Sequence, residues 1–388
     1  MRVLHLTTEF PPVIWGGLGT AVGGIVMASA RDGLTVGVLL VGGALSAGGG
    51  YSRCHPLPTE AARAGSGRIT VASDGVTFFH VAPQDGVEAG LKFARAWRPD
   101  VLHLHSSWLW PVASAIREDR GIPIVFTVHS LDRAEYEWGG FATNWEPQEA
   151  VIHAVNRIIA ISESERALLT SYCPAVQWRA RVIGNGIDDT SAARASAQRR
   201  RSGPPLVMFS GRFVDRKGIH ELFEAIPHVL AAEPDTRFLL VGGYGAAADV
   251  ERAWLAGALL PHREKIRFTG WLQPDEVTRC YGEADILVVP SWYEPFGMVV
   301  LEGMLHGLAL AAAEVGGPAE ILKHGTTGLL FAPRNMDALS AALLQLVRDT
   351  DLRRRLGVAA AAEVRRRWLW PRHIADIRSV YGEVTNAN

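Results

Sequence analysis

Short runs of Val, Ile and Leu recur along the first half of the chain, at 3–6, 36–41, 101–105, 124–128 and 158–161. Each is four to six residues long with few polar interruptions, the pattern of a parallel strand buried on both faces. Longer stretches with helical spacing separate several of them, at 17–32, 88–97 and 110–119. Strand alternating with helix predicts a doubly wound α/β sheet. The alternation pauses at DDTSAARASAQRRRSGPP, residues 188–205, a polar, small-residue and Arg-rich segment ending in two prolines. It then restarts, with strands expected at 206–210, 237–241, 266–269, 285–290 and 308–312 and helices at 218–232, 274–283 and 298–306. The tail from Asp337 is amphipathic and breaks near Trp370-Pro371. The expected organisation is therefore a Rossmann-like domain over 1–189, a linker over 190–204, a second Rossmann-like domain over 205–370, and a final helix within 371–388. Two sheets facing one another would leave a central cleft, the usual place for an enzyme site.

Bulk properties narrow the class. A chain of 388 residues can bury two cores. Its net charge of −1 gives no electrostatic case for nucleic acid or an anionic membrane as partner. Cys54, Cys173 and Cys280 are odd in number, with no metal-type spacing, which points to a reducing compartment. The opening MRVLHLTTEF has the pattern of a first strand rather than a signal peptide. No run of about 18 uncharged apolar residues occurs, so no membrane insertion is expected and a cytoplasmic location follows. The sequence does not specify an oligomeric state.

The most specific stretch is SWYEPFGMVVLE, residues 291–302. A strand leads into it and a helix opens after Pro295, so Glu294, Glu302 and the helix N-terminus meet at the carboxyl end of a strand, where open α/β sheets bind ligands. Backbone N–H groups after Phe296, at Gly297, Met298 and Val299, would lack intrahelical acceptors and suit a phosphate. A carboxylate on each side of an anion site describes a pocket for a sugar nucleotide. Glu302 alone would be no more than an acidic group in a helix; the whole run says more. The TTEFPPVIWGGLGTAVGG loop places Gly16, Gly17 and Gly19 between the first strand and its helix, where close backbone approach to a diphosphate is possible. SGRFVDRKG, residues 210–218, offers the Arg212 fork and the Lys217 point charge. PIVFTVHS ends a strand at His129. His103 and His105 share one strand face in DVLHLHSSW, but no carboxylate or Cys completes a metal set with them in sequence, so no metal is expected. Ser162 in ISESERALL reads as a helix cap. Asn185 and Gly186 read as a tight turn. Asp349 and Asp351 lie in the helical tail, remote from the motifs.

Together these motifs resemble the retaining GT-B glycosyltransferases of the large family that includes glycogen synthase and sucrose synthase. The resemblance implies the GT-B fold, with the last helix crossing back to the first domain. It implies a nucleotide-sugar donor held by Gly16, Gly17, Gly19, Gly211, Arg212, Lys217, Glu294, Phe296, Gly297, Met298, Val299 and Glu302. Catalytic roles fall on His129, Glu294, Arg212 and Lys217: the cations neutralise the leaving diphosphate, Glu294 and His129 orient the sugar, and Glu302 takes the ribose. Gly316 and Gly317 match the family's phosphate-side turn, with Glu320 bracing it. No cofactor is implied, the UDP-sugar being a co-substrate. Residues 303–313, GMLHGLALAAA, depart from the family by lacking the Pro-Val that commonly follows this helix.

The acceptor is a small polar molecule in this reading, touched by Glu9, His105, Asp132, Glu135 and Trp145. Residues 130–149, SLDRAEYEWGGFATNWEPQE, hold five carboxylates and one arginine along with Tyr136, Trp138 and Trp145, chemistry suited to a cationic ring. The opening segment also resembles the 2-deoxystreptamine glycosyltransferases of aminoglycoside antibiotic biosynthesis, which use N-acetylglucosamine or glucose donors. Two other enzymatic readings share the architecture: transfer to a glucan or lipid-linked glycan, and nucleotide-sugar epimerisation. A donor-binding module without catalysis would be free to lose several of the residues that are present here.

Overall fold

A computed structural model describes residues 1–11, 14, 16–42, 69–71, 75–140, 142, 144–197, 203–243, 254 and 257–386. Contacts divide the chain into two units. The first comprises Met1–Arg133, Thr143–Gly186 and Trp370–Asn388; the second comprises Ala134–Ala142 and Ile187–Leu369.

The first unit is built on eight strands: β1 (Arg2–Thr7), β2 (Thr35–Val41), β3 (Ile69–Val71), β4 (Thr77–Val81), β5 (Val101–Leu104), β6 (Ile124–Val128), β7 (Arg157–Ala160) and β8 (Ala180–Val182). Their order is β3-β4-β2-β1-β5-β6-β7-β8, with every pairing parallel except β3 against β4. The central strands are mostly apolar and buried because helices cover both faces. The strands β3, β4 and β8 were not expected from the sequence: β3 and β8 span three residues each, and β4 is bounded by Thr77 and interrupted by His80.

The last helix, Trp370–Thr385, belongs to this unit. Pro371 sits in its first turn, where a missing N–H costs nothing. Trp370, Ile374, Ile377 and Tyr381 are buried against the sheet. Gly24 of the helix Gly17–Arg31 makes the docking possible: a Cβ there would overlap the Trp370 indole.

The second unit has six strands: β9 (Leu206–Gly211), β10 (Arg237–Gly242), β11 (Ile266–Gly270), β12 (Ile286–Val289), β13 (Ala309–Ala313) and β14 (Leu329–Phe331). The order is β11-β10-β9-β12-β13-β14, all parallel. The Ala-rich end of the segment that departs from the family pattern, Ala309–Ala313, is β13 and is fully buried. Small side chains there let the helix Thr350–Arg367 approach closely, with Gly357 against the carbonyl of Gly307. Asp349 caps that helix by accepting from Leu352 N at 2.8 Å.

Part of the expected linker is a helix, Ser191–Ala197. Thr190 Oγ1 accepts from Ala193 N at 3.2 Å, and the alanines that follow are strong helix formers. Ala193 and Ser196 are buried. No helix among the described residues is long and apolar enough to cross a membrane.

Candidate active site

In the second unit β12 ends at Val289 and the chain turns through Ser291–Gly297 into the helix Met298–Leu305. Gly297 caps the helix at φ 94°, a conformation that favours glycine. The turn is fixed from two sides. Gly317 N donates to Glu294 O at 3.0 Å, and a Cβ on Gly317 would overlap the Phe296 carbonyl. On the other side Trp292 N donates to Arg216 O at 2.7 Å, while Gly218, at φ 66°, lies against the Pro290 carbonyl with no room for a Cβ. The loops after β9, β12 and β13 are thus locked together at the carboxyl end of the sheet.

That locking brings Glu294 to Lys217. Lys217 Nζ donates to Glu294 Oε2, and Ser291 Oγ donates to the same oxygen at 3.1 Å. Burial alone would raise the Glu294 pKa. The charges of Lys217 and Arg216, with the hydrogen bonds from Lys217 and Ser291, outweigh it and hold the carboxyl below its ordinary range. Burial dominates at Lys217 and lowers its pKa; Glu294 opposes this, while Arg216 and Arg212 add to it. Arg212 is thereby close enough to act on Lys217.

Glu302 lies one turn inside the helix and accepts from Tyr281 Oη at 2.7 Å. Burial raises its pKa against that hydrogen bond. The Tyr281 hydroxyl is driven well above its ordinary range, first by burial and then by Glu302, so it stays a donor. Of the first N–H groups of the helix, Val300 donates to Gly297 O at 2.9 Å. Among the described residues Met298 N and Val299 N have no hydrogen-bond acceptor, the arrangement that suits an anion. Phe296 and Met298 are themselves buried, Phe296 edge-on to Trp368 with ring centroids 5.7 Å apart. Their side chains serve the core, and only their backbone is left to a donor. Gly211 closes β9 beside Gly242 and Gly243, Gly243 N donating to Gly211 O at 3.1 Å. Glu320 lies in the short helix Gly316–Ile321.

Two buried groups here were not read from the sequence. Arg216, between the expected Arg212 and Lys217, has its side chain 4% exposed. Its NH1 donates to Tyr293 O at 3.1 Å, and its Nε stands 2.7 Å from Glu135 Oε2. This second contact is a charge contact, since the Nε–H has no aligned acceptor. Glu135 was expected to face the acceptor. It is instead 7% exposed and held by Arg216, because the segment Ala134–Ala142 packs within the second unit. Gly139 lies against Asp215 there.

The rest of the acidic loop is dispersed. Arg133 stands 3.9 Å from Glu149 and lies over the rings of Tyr172 (4.4 Å) and Trp145 (5.9 Å). The cation expected from an acceptor at Trp145 is thus supplied by the chain. Asp132 N donates to Gln148 Oε1 at 2.8 Å, and Gln148 Nε2 to Ser130 O at 2.9 Å, pinning the start of the loop. Tyr136 and Trp138 are exposed.

In the first unit Gly16 is the N-cap of the helix Gly17–Arg31, and open space surrounds its Cα. Gly19 lets Glu9 come close: a Cβ would sit 3.1 Å from Glu9 Oε2. Thr7 Oγ1 donates to Glu9 O at 2.8 Å. Ser162 caps its helix as expected, accepting from Glu165 N at 3.0 Å. Asn185 is buried, and Gly186 packs against Trp370.

His129, just after β6, is half-buried, and its Nε2 lies 3.0 Å from His105 Nδ1. His105 Nε2 in turn lies 2.9 Å from His5 Nδ1. Both ring nitrogens of His105 are engaged, so neither is left for an acceptor and the expected acceptor contact there is withdrawn. The sequence pointed to His103 and His105 but not to His5, although LHL recurs in β1 and β5 and the pairing sets His5 beside His103. The three rings can bring ligand atoms within 4.8 Å of one another. His103, however, already uses both nitrogens, on Tyr381 Oη (2.6 Å) and Thr127 Oγ1 (2.7 Å).

A parallel sheet whose loops hold a Lys–Glu pair, a helix N-terminus with open N–H groups and a second carboxylate one turn on fits a nucleotide-sugar-dependent glycosyltransferase, the class to which the chain's relatives belong. Residues 15–191 match the family described as Glycosyltransferase Family 4, and residues 192–363 match Glycosyl transferases group 1. The chain belongs to this family and has the GT-B fold. It is 30% identical to a glycogen synthase of Mycobacterium tuberculosis, over 98% of this chain and 94% of that one. It is also 30% identical to a D-inositol 3-phosphate glycosyltransferase of Corynebacterium diphtheriae, over 74% and 71%. Among solved structures, Anabaena HepE in complex with UDP and glucose superposes with a TM-score of 0.75 at 19% identity, covering 99% of this chain and all of that one.

Proposed function

We propose that the protein transfers a hexosyl group, glucose or N-acetylglucosamine, from a UDP-sugar to a small cyclitol, with 2-deoxystreptamine of aminoglycoside biosynthesis as the first candidate. The observation that carries the donor half is the Lys217–Glu294–Ser291 cluster beside the open Met298 and Val299 N–H groups. Lys217 and Arg212 neutralise the departing diphosphate, and the helix N-terminus adds fixed dipoles aimed at the same charge. Glu294 is kept ionised by its neighbours and accepts hydrogen bonds from sugar hydroxyls; Glu302 takes the ribose. The UDP seen with Anabaena HepE supports the choice of base.

Transfer proceeds with retention in this reading and without a metal. The leaving phosphate accepts the acceptor proton on the same face of the sugar, while His129 orients the donor. Lys217 and Ser291 hold Glu294 by Oε2, an arrangement for orienting the sugar rather than for nucleophilic attack.

A ring polyol as acceptor draws support from the D-inositol 3-phosphate glycosyltransferase relative, since inositol and 2-deoxystreptamine are both cyclitols. Pairing of Glu135 and Glu149 with arginines removes two carboxylates from the case for a cationic ring. A second reading, an α-glucan as acceptor, is favoured by the similarity along nearly the whole chain to a glycogen synthase.

The test is a mass-spectrometric transfer assay with UDP-glucose and UDP-N-acetylglucosamine, offering 2-deoxystreptamine, myo-inositol 3-phosphate or maltooligosaccharide. A pseudodisaccharide with the first that vanishes in Glu294→Ala supports the proposal. Extension of maltooligosaccharide alone discards the cyclitol and keeps the donor site.

A further inference from the structure

The histidines of the first unit form a connected array, and its geometry constrains its protons. His5, on β1, and His103, on β5, are fully buried, and His105, after β5, is 3% exposed. Only His129 is half-buried. The line His5 Nδ1···Nε2 His105 Nδ1···Nε2 His129 has two links, of 2.9 and 3.0 Å. Burial pushes His5 and His129 down to about 3, and it holds His103 and His105 well below their ordinary value, with the neighbouring histidines adding to the effect. All four rings are neutral near pH 7, and each carries one N–H.

A neutral ring donates through one nitrogen and accepts through the other, so the two links must point the same way. If they point inward, His5 carries its proton on Nε2. If they point outward, every ring carries its proton on Nδ1. His5 Nε2 is buried and has no partner. Inward polarity would strand an N–H donor there, which proteins avoid more strictly than an unmatched acceptor. Outward polarity leaves a bare lone pair at that inner end and places an N–H on Nδ1 of His129.

We propose that His5 and His105 are positioning residues that lock His129 in its Nδ1–H tautomer, so that it presents a fixed hydrogen-bond donor to an oxygen of the bound sugar. The kinetic part rests on the reading of His129 as a donor-sugar contact; the tautomer lock does not. His103 stands outside the line, because Tyr381 and Thr127 take both its nitrogens.

The test is long-range 1H–15N correlation on the full chain labelled in its imidazoles, assigned by His5→Phe, His105→Phe and His129→Phe. The expected result is a pyrrole-type Nδ1 and a pyridine-type Nε2 for all three rings. In His105→Phe the His129 ring should acquire the Nε2–H form, and turnover of UDP-glucose should fall by about tenfold, the scale on which losing an outer partner of a functional imidazole acts. Tyr381→Phe, which removes only the hydroxyl bonded to His103, should leave the three tautomers unchanged. A pyridine-type Nδ1 on His129 in the parent protein overturns the proposal, and that spectrum decides even if His105→Phe does not fold. A His129 signal unmoved by His105→Phe also overturns it. If the tautomers are as stated but His129→Ala turns over UDP-glucose normally, the donor contact fails and the lock stands.

Discussion

Replacing Glu135 by Gln removes one charge from a buried pair and little else. The Arg216 side chain is 4% exposed and that of Glu135 is 9% exposed, so water does not screen the guanidinium once its partner is neutral. Breaking such a pair from one side costs about 3–5 kcal/mol, because the remaining charge stays buried. Gln keeps an acceptor oxygen and Arg216 keeps its bond to Tyr293 O, which argues for the lower end, about 3 kcal/mol. In a unit of this size 1 kcal/mol moves the midpoint by about 2–4 °C, so the expected loss is about 6–12 °C in the transition of the second unit. Calorimetry on the full chain reads this directly. The double variant Glu135→Met with Arg216→Leu should recover at least half of the loss, since apolar replacement of a whole buried pair is nearly neutral. A single variant melting within about 1 °C of the parent would refute the reasoning, as would a double variant less stable than the single.

Four further outcomes follow from the same geometry. Glu294 has a folded pKa below its unfolded value of about 4.3, so it contributes stability above that value and loses it as pH falls through the folded pKa; acid melts of the parent and Glu294→Gln should converge towards low pH. Glu302 has the opposite sign: its raised folded pKa means the folded state holds the extra proton, so relative to Glu302→Gln the parent should lose stability as pH rises from about 4.3 through the folded value. Gly317→Ala forces a methyl group into the Phe296 carbonyl and should cost about 1–3 kcal/mol by denaturant melts, with loss of nucleotide binding as the turn shifts. Trp370→Ala should destabilise the first unit by about 3–5 kcal/mol, measured by chemical denaturation, because the buried indole ties the last helix to Gly24 and Gly186.

What was legible in the sequence is what depends on neighbours along the chain. β12, the Pro-Phe-Gly turn and the helix after it lie within twenty residues, and their apolar run, glycine and carboxylates can be read in one window. The other ten strands could be read the same way, because strands in a covered parallel sheet are mostly apolar. The strands β3, β4, β8 and β14 could not: Thr77–Val81 carries His80, and Leu329–Phe331 spans only three residues, so neighbouring strands fix them more than propensity does. The segment 188–205 showed why polarity alone misleads. Its alanines and Thr190 support a short helix once buried positions at Ala193 and Ser196 are available.

The part that was not legible is the pairing of distant charges, and it bears most on the acceptor. Counted along the chain, residues 130–149 look acidic, since five carboxylates face one arginine. That count assumes that partners come from the same stretch. Glu135 finds Arg216, 81 positions later, and neither residue carries a local sign of it. The one local base, Arg133, sits beside Glu149 and covers Trp145 and Tyr172. The charge left to meet an acceptor is therefore smaller than the sequence suggests, and an aromatic face offered on paper to a foreign cation is covered by the chain's own. The His5–His105–His129 line has the same origin: 100 and 24 residues separate its members, and only the pairing of β1 with β5 and of β5 with β6 aligns them. Motifs close to one another carry the proposed donor site, whereas acceptor choice and proton placement depend on contacts that only the folded sheet creates. An acceptor argument for this chain must start from the carboxylates that remain after Arg133 and Arg216 have taken theirs.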